Sequence, residues 1–313
     1  MSDHFITGTE DLTPDRLSSL LDIDVRQLRV ERTGETTSGG HAHCQINNDK
    51  RFIKWTRPEA YTPRKARANQ REVWFYRNLG TFDMHACRCI AAYANDEGAS
   101  TIILEDISAT HTPWTPALPD WEPKCVDALA ALHSRFWNDP RLDALLPETE
   151  ALDAWRARMH HRVEGMAREL ALADSSELHE LVDLPIWAKW FERAETQPLT
   201  IQHGDAHSRN FLFTDNEAVL IDWELLGAGV PVMDLMHLLV FDAFAKIDEL
   251  VPRYLSQTPY ETSEFESDWH MALLLAPLLA SAFWQNGLRA HRLKERFDFA
   301  MAAKHRAETV TRG

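Results

Sequence analysis

Positive charge is in short supply in this 313-residue chain: 33 Lys and Arg stand against 48 Asp and Glu, a formal net charge of -15. A general nucleic-acid binder needs a basic face to displace counterions from phosphates, and an anionic membrane repels a surface of this sign. Neither nucleic acid nor membrane is therefore an expected partner, although a local pocket can still be basic. Long apolar runs are missing as well. The longest, MALLLAPLLASAFW from Met271 to Trp284, is too short to span a bilayer and contains Pro277, so it reads as a buried core helix. The opening MSDHFITGTEDL lacks the charged-then-apolar build of an export signal. Cysteine is sparse, with Cys44, Cys87, Cys89 and Cys125 alone. Reduced thiols and a cytoplasmic location are the expectation. There is no internal repeat and no low-complexity tract. What remains is a globular composition, 44% hydrophobic and 26% charged, in a chain long enough for two lobes.

Local signals divide the chain. LTPDRLSSLL starts a helix with Thr13 as cap and Pro14 at the first helical position. QLRVERT, AHCQI and RFIKW read as three strands separated by the turns TGETTSGG and NND. Thr62-Pro63 opens a second helix through RKARANQREVWFYRNL, ended by Gly80. STIILED is a further apolar strand. Residues 1–107 thus form a small, mostly antiparallel lobe with one inserted helix. ATHTPWTPALPDW is a Pro-rich connector, and residues 108–313 form a large, mainly helical lobe. There CVDALAALHSRFW places Leu129, Leu132, His133 and Phe136 on one helical face. The stretches 150–195, 232–256, 264–290 and 292–310 are helical in pattern too.

One strand-like island interrupts the helical half: QHGDAHSRNFLFTDNEAVLIDWE, from Gln202 to Glu224. FLF and AVLI are short apolar runs, and TDNE between them is a strong turn signal. As an antiparallel hairpin, this segment brings Asn210, just before the first strand, beside Asp222, just after the second. Asp205 lies on the loop immediately before. Three such oxygen-bearing groups suit a hard cation such as Mg²⁺, which takes one or two carboxylates and completes its shell with water and phosphate oxygens. Asp205 need not be a ligand: an ionised aspartate there can accept a proton from, and orient, a substrate hydroxyl.

The pattern His-Gly-Asp, four residues, Asn, then Ile-Asp-Trp-Glu resembles the catalytic and metal-binding motifs of the aminoglycoside phosphotransferase and choline kinase-like family, a branch of the protein-kinase-like fold. The resemblance implies an α+β protein whose small antiparallel N-terminal lobe binds nucleotide and whose helical C-terminal lobe carries catalysis and acceptor. It implies ATP and Mg²⁺, Asp205 as catalytic aspartate, Asn210 and Asp222 as metal ligands, and His203 as an orienter of the loop. ALHSRFW and PVMDLMHLL, with Asp234, look like family features of the helical lobe. Upstream the family pairs a strand lysine with a helix glutamate, which Lys54 and Glu72 supply, against the α/β-phosphates of ATP. Gly39 and Gly40 in TTSGGHAHCQI are similar to the phosphate-covering loop, without its full glycine pattern. Glu105 to Ile107 resembles the hinge that offers backbone groups to adenine.

Other readings compete. HAHC and CRC lack paired metal-ligand spacing and are read as structural residues rather than zinc ligands. RPEAYTPRKARANQR is read as the solvated face of the inserted helix, with a part in drawing in ATP as the alternative. His207 either contacts phosphate or braces the loop, and no role is assigned to it. As to function, an ATP-dependent kinase acting on a small-molecule hydroxyl leads. A metal-dependent hydrolase and a nucleotide-binding pseudokinase scaffold are the alternatives. The helical lobe is rich in Trp and carboxylates, which suits a cationic acceptor through cation–π contact; plain packing is the other account of those rings.

Overall fold

The computed structural model describes residues 5–36, 38–79, 87–145, 151–196, 200–285 and 290–310. In chain order the regular elements are α1 (Pro14–Leu21), β1 (Leu28–Glu35), β2 (Gly39–Ile46), β3 (Asp49–Thr56), α2 (Pro63–Asn78), β4 (Cys89–Ala94), β5 (Ser100–Glu105) and β6 (Thr112–Pro113). Then follow α3 (Trp121–Arg135), α4 (Leu152–Leu170), α5 (Ser176–Val182), α6 (Ile186–Thr196), β7 (Thr200–Gln202), β8 (Phe211–Phe213), β9 (Ala218–Leu220) and β10 (Gly227–Gly229). Four helices close the sequence: α7 (Val232–Asp242), α8 (Ile247–Leu255), α9 (Thr262–Gln285) and α10 (Ala290–Val310). Two compact units emerge: Met1–Trp121 with Arg209–Leu226, and Glu122–Ser208 with Gly227–Gly313.

In the first unit a five-stranded antiparallel sheet runs in the order β1-β2-β3-β5-β4. The two-residue side-chain period of a strand divides its residues between two faces. Ala42, Cys44, Ile46 and Ile53 enter a core shared with Leu17 and Leu20 of α1. Their alternates His41, His43, Phe52 and Lys54 line a cavity instead. Both helix starts follow the expected chemistry, with the Thr13 and Thr62 hydroxyls accepting from the Arg16 and Lys65 amides at 3.3 and 3.1 Å. Helix α2 buries Ala66, Asn69, Glu72, Val73 and Tyr76, a stripe at 3.6-residue period. Asn69 ties it to the sheet, donating to the Thr56 hydroxyl at 2.9 Å and the Gly98 carbonyl at 2.7 Å. Gly80, the expected end of this helix, lies outside the described residues.

The same unit holds a second sheet, β6-β8-β9. Its hairpin forms as the turn signal predicts, with Phe211 opposite Leu220 and Phe213 opposite Ala218. Two strands of this unit were not anticipated. β4 is Ala-rich, and β6 is a two-residue strand inside the Pro-rich connector, pairing with Leu212 and Phe213.

The second unit is helical apart from β7 and β10, which pair antiparallel. The apolar run of α9 is a core helix as expected, with Ala272, Ala276 and Leu278 buried, and α7 and α10 bury Leu235, Leu239, Leu293 and Ala300. Leu129, Leu132, His133 and Phe136 are buried together. Among the described residues no helix is long and apolar enough to cross a membrane.

Candidate nucleotide and metal site

Lys54 on β3 is the hub of the first unit's polar chemistry. Its Nζ donates to both Glu72 oxygens at 3.1 and 3.0 Å, so the two residues singled out eighteen positions apart do meet. The same ammonium donates to Asp222 Oδ1 at 2.7 Å and lies 3.0 Å from Glu224 Oε1. Glu72 is only 2% exposed. Burial pushes its carboxyl up to about 7; the Lys54 ammonium opposes that shift, while Asp222 and Glu224 add to it. Burial alone would lower Lys54, but the three carboxylates outweigh it and hold the ammonium well above its ordinary value.

Two residues of this constellation escaped the sequence reading. Glu224, the last residue of the IDWE motif, accepts from Lys65 Nζ at 2.6 Å. Its half-buried carboxyl is brought down to about 2 by Lys54 and Lys65 against the opposing effect of burial. Lys65 belongs to the basic run expected on the solvated face of α2. Its side chain is instead 13% exposed and lines the cavity, so that expectation fails at this residue. Position in the first helical turn, within reach of the Trp223–Leu225 turn that carries Glu224, is the physical reason; charge composition gave no hint of it.

The cavity encloses about 410 Å³, a size common among small-molecule sites, and its lining comes wholly from the first unit. Phe52, Ile102, Leu104, Leu212 and Ile221 give it apolar walls, and Lys54, Lys65, Glu72, Asp222 and Glu224 gather at one part of it. Glu105 and Ile107 line it too. Gly40 contributes to the lining, whereas Gly39 is not among the lining residues. Both glycines sit inside β2 rather than in a free loop, and close backbone approach accounts for them. A Cβ on Gly39 would stand 1.9 Å from the Trp55 carbonyl oxygen, and one on Gly40 would stand 2.5 Å from the Trp55 ring.

The hairpin brings Asn210 and Asp222 together. The Ile221 amide donates to the Asn210 carbonyl at 2.9 Å, which fixes the adjoining Asp222 at the same end. Asp222 takes a left-handed backbone, φ 66°, and its side chain is 47% exposed. Asp222 offers an accessible carboxylate and Asn210 a side-chain amide, donor types that a hard divalent cation takes, so these residue types fit Mg²⁺. Among the described residues, one group of acidic ligands lies within metal-binding reach, Glu72 with Asp222 and Glu224, the three that surround Lys54.

Asp205 belongs to the second unit. His207 and His237 flank its carboxylate, their Nε2 atoms 3.5 and 3.9 Å from its oxygens. Burial pushes the Asp205 carboxyl up, yet the hydrogen bond from His207 and the charge of His237 bring it down to about 2. Asp234 shapes the preceding loop, accepting from the His203 amide at 2.6 Å and the Gly204 amide at 2.9 Å. His203 is fully buried, and its Nδ1 accepts from the Asp205 amide at 3.3 Å. His237, on α7, was invisible in the sequence, where it sits in an apolar helical run without spacing that points to Asp205.

Comparison with known proteins bears on the family and the fold. A model of the phosphotransferase enzyme family matches residues 44–265. Choline kinase LicA from Streptococcus pneumoniae superposes with a TM-score of 0.56 at 16% identity, covering 95% of this chain and 98% of its own. A spectinomycin phosphotransferase solved with ADP and spectinomycin gives 0.57 at 14% identity, over 94% and 99% of the two chains. Choline kinase from Cryptosporidium parvum gives 0.56 at 15%, over 93% and 92%. No curated protein sequence matches. These likenesses show the kinase-like fold, a small antiparallel sheet with a mostly helical remainder. With more than half of its length matched, the chain belongs to the phosphotransferase enzyme family.

Proposed function

We propose that this phosphotransferase moves the γ-phosphoryl group of Mg·ATP to a hydroxyl of a small molecule. The observation that carries this reading is the Lys54–Glu72 pair joined by Asp222 in the wall of one cavity. Lys54, steadied by Glu72, neutralises charge on the phosphates that are not transferred. The hinge backbone at Glu105 and Ile107 and the strand start at Gly40 hold the rest of the nucleotide, and Gly39 lets the strand pass close to Trp55. Asn210 and Asp222 hold Mg²⁺, which when bound supplies charge neutralisation at the phosphate oxygens. Asp205, kept ionised by its two imidazoles, accepts the acceptor's hydroxyl proton and aligns its oxygen for in-line attack. Residues 1–107 carry the nucleotide side, completed by the hairpin segment Arg209–Leu226, and the rest of residues 108–313 carries the catalytic aspartate and the acceptor side. All four cysteines are free, which accords with a cytoplasmic setting.

The test is ADP formation from Mg·ATP against pooled alcohols, amino sugars and choline-like amines. Asp205→Ala is expected to cut turnover by about 10²- to 10⁴-fold with nucleotide binding retained. Activity without ATP that survives Lys54→Met would instead identify a metal-dependent hydrolase. Nucleotide binding with no turnover of any acceptor would identify a scaffold.

A further inference from the structure

Three side chains at the nucleotide cavity form a relay that the phosphoryl-transfer chemistry leaves unused. Asp106 Oδ2 lies 2.6 Å from His43 Nδ1, and Arg32 Nη2 lies 2.7 Å from His43 Nε2. All three residues line the cavity. A guanidinium nitrogen only donates, so Nε2 of His43 is the acceptor. Nδ1 therefore carries the proton and donates to Asp106, which fixes the tautomer. Asp106 is itself pinned, its Oδ1 accepting from the Ser108 amide at 2.9 Å. The relay thus runs from the hinge segment, through a buried imidazole on β2, to a guanidinium on β1.

The strand register shows which end of the cavity Arg32 serves. Arg32, His43, Phe52 and Leu104 stand in one row across four strands, and Leu104 is the residue just before Glu105. Gly34, His41, Lys54 and Ile102 form the row two residues away, about 7 Å along the strands. Arg32 is therefore level with the apolar, hinge end and not with the lysine. In its own row the Phe52 ring meets His43 edge-on, with centroids 5.1 Å apart. We propose that Arg32, positioned by His43 and Asp106, is a nucleoside-binding residue: its guanidinium contacts the base and ribose half of the nucleotide rather than the phosphates. A planar guanidinium suits both tasks, stacking on a purine face and donating to ribose hydroxyls. This rests on the cavity being a nucleotide site, as proposed above.

Calorimetric titration of the full chain with adenosine, Mg·ADP and inorganic tripolyphosphate separates the two halves of the ligand. Arg32→Met weakens adenosine and Mg·ADP alike by about tenfold and leaves tripolyphosphate unchanged. In turnover it raises the KM for ATP by the same factor at constant kcat. Asp106→Ala, which releases the imidazole, gives the same selective loss, and Asp106→Asn, which keeps an acceptor for Nδ1–H, restores affinity. Unchanged adenosine binding in Arg32→Met, or a loss confined to tripolyphosphate, overturns the assignment while the nucleotide site stands. If the wild-type chain binds none of the three probes, the nucleotide reading itself falls, and this assignment falls with it.

Discussion

Lys54 holds three carboxylates with one ammonium, and the energetic asymmetry of that arrangement is testable. Removing the cation leaves the buried Glu72 charge without its partner, which costs more than the pair contributes. Lys54→Met is expected to lower stability by about 3 kcal/mol, the low end for breaking a buried pair, because the lysine side chain is 27% exposed. Urea denaturation of Lys54→Met, Glu72→Gln and the double variant checks this; the double variant should recover part of the loss. Asp234 offers a pH-dependent counterpart. Burial would raise its carboxyl, but the His133 hydrogen bond, the His203 ring and the Gly204 amide hold it below its ordinary value. A carboxyl lowered in the folded state stabilises above its unfolded value, about 4, and loses that contribution as pH falls through the folded one. Stability measured from pH 6 to pH 2 should therefore drop less steeply in Asp234→Asn than in the parent, from a lower starting level. A parallel pair of curves would remove Asp234 from the acid response.

Between elements, one aromatic pair does the joining. Phe75 of α2 stacks on Trp223, just beyond the β8–β9 hairpin, with centroids 3.7 Å apart and both side chains fully buried. Trp223 lies between the two acidic residues that reach Lys54 and Lys65, so this stack sets where those carboxylates stand. Phe75→Ala is expected to cost about 3–5 kcal/mol. It should also raise the KM for ATP, because the end of the hairpin loses its support. Unchanged KM with lowered stability would show that the lysine network alone holds Asp222 and Glu224 in place. At this scale most of the fold was legible. Thr-Pro steps marked both helix starts, TDNE marked the hairpin, and AHCQI and RFIKW marked β2 and β3. What escaped has physical reasons. The Ala-rich β4 carries little strand propensity, β10 is Gly-Ala-Gly, and Lys65 differs from its solvated neighbours only in the direction it points. Of the cluster the structure brings together, Lys54, Glu72 and Asp222 were findable because a motif singles them out. Glu224 and Lys65 join them, and His237 joins Asp205, through distance alone.

At the level of the molecule, the ligand cavity belongs to one compact unit of two. Whatever binds there stabilises that unit by mass action, about 2.7 kcal/mol at a hundredfold excess over Kd. Hydrogen exchange with saturating Mg·ATP should slow amides in residues 5–121 and 209–226 more than those of the helical unit. Equal protection throughout would mean that the two units open together. The first unit is also discontinuous along the chain, and this bears on its birth. Phe75 emerges from the ribosome long before Trp223 exists to cover it. About a hundred residues separate the end of the first segment from the end of the second, about 5 to 20 s of synthesis. For that interval the nascent lobe has its five-stranded sheet but neither the β8–β9 hairpin, its last carboxylates nor its aromatic lid, a bare patch that a chaperone would find before the polypeptide completes itself.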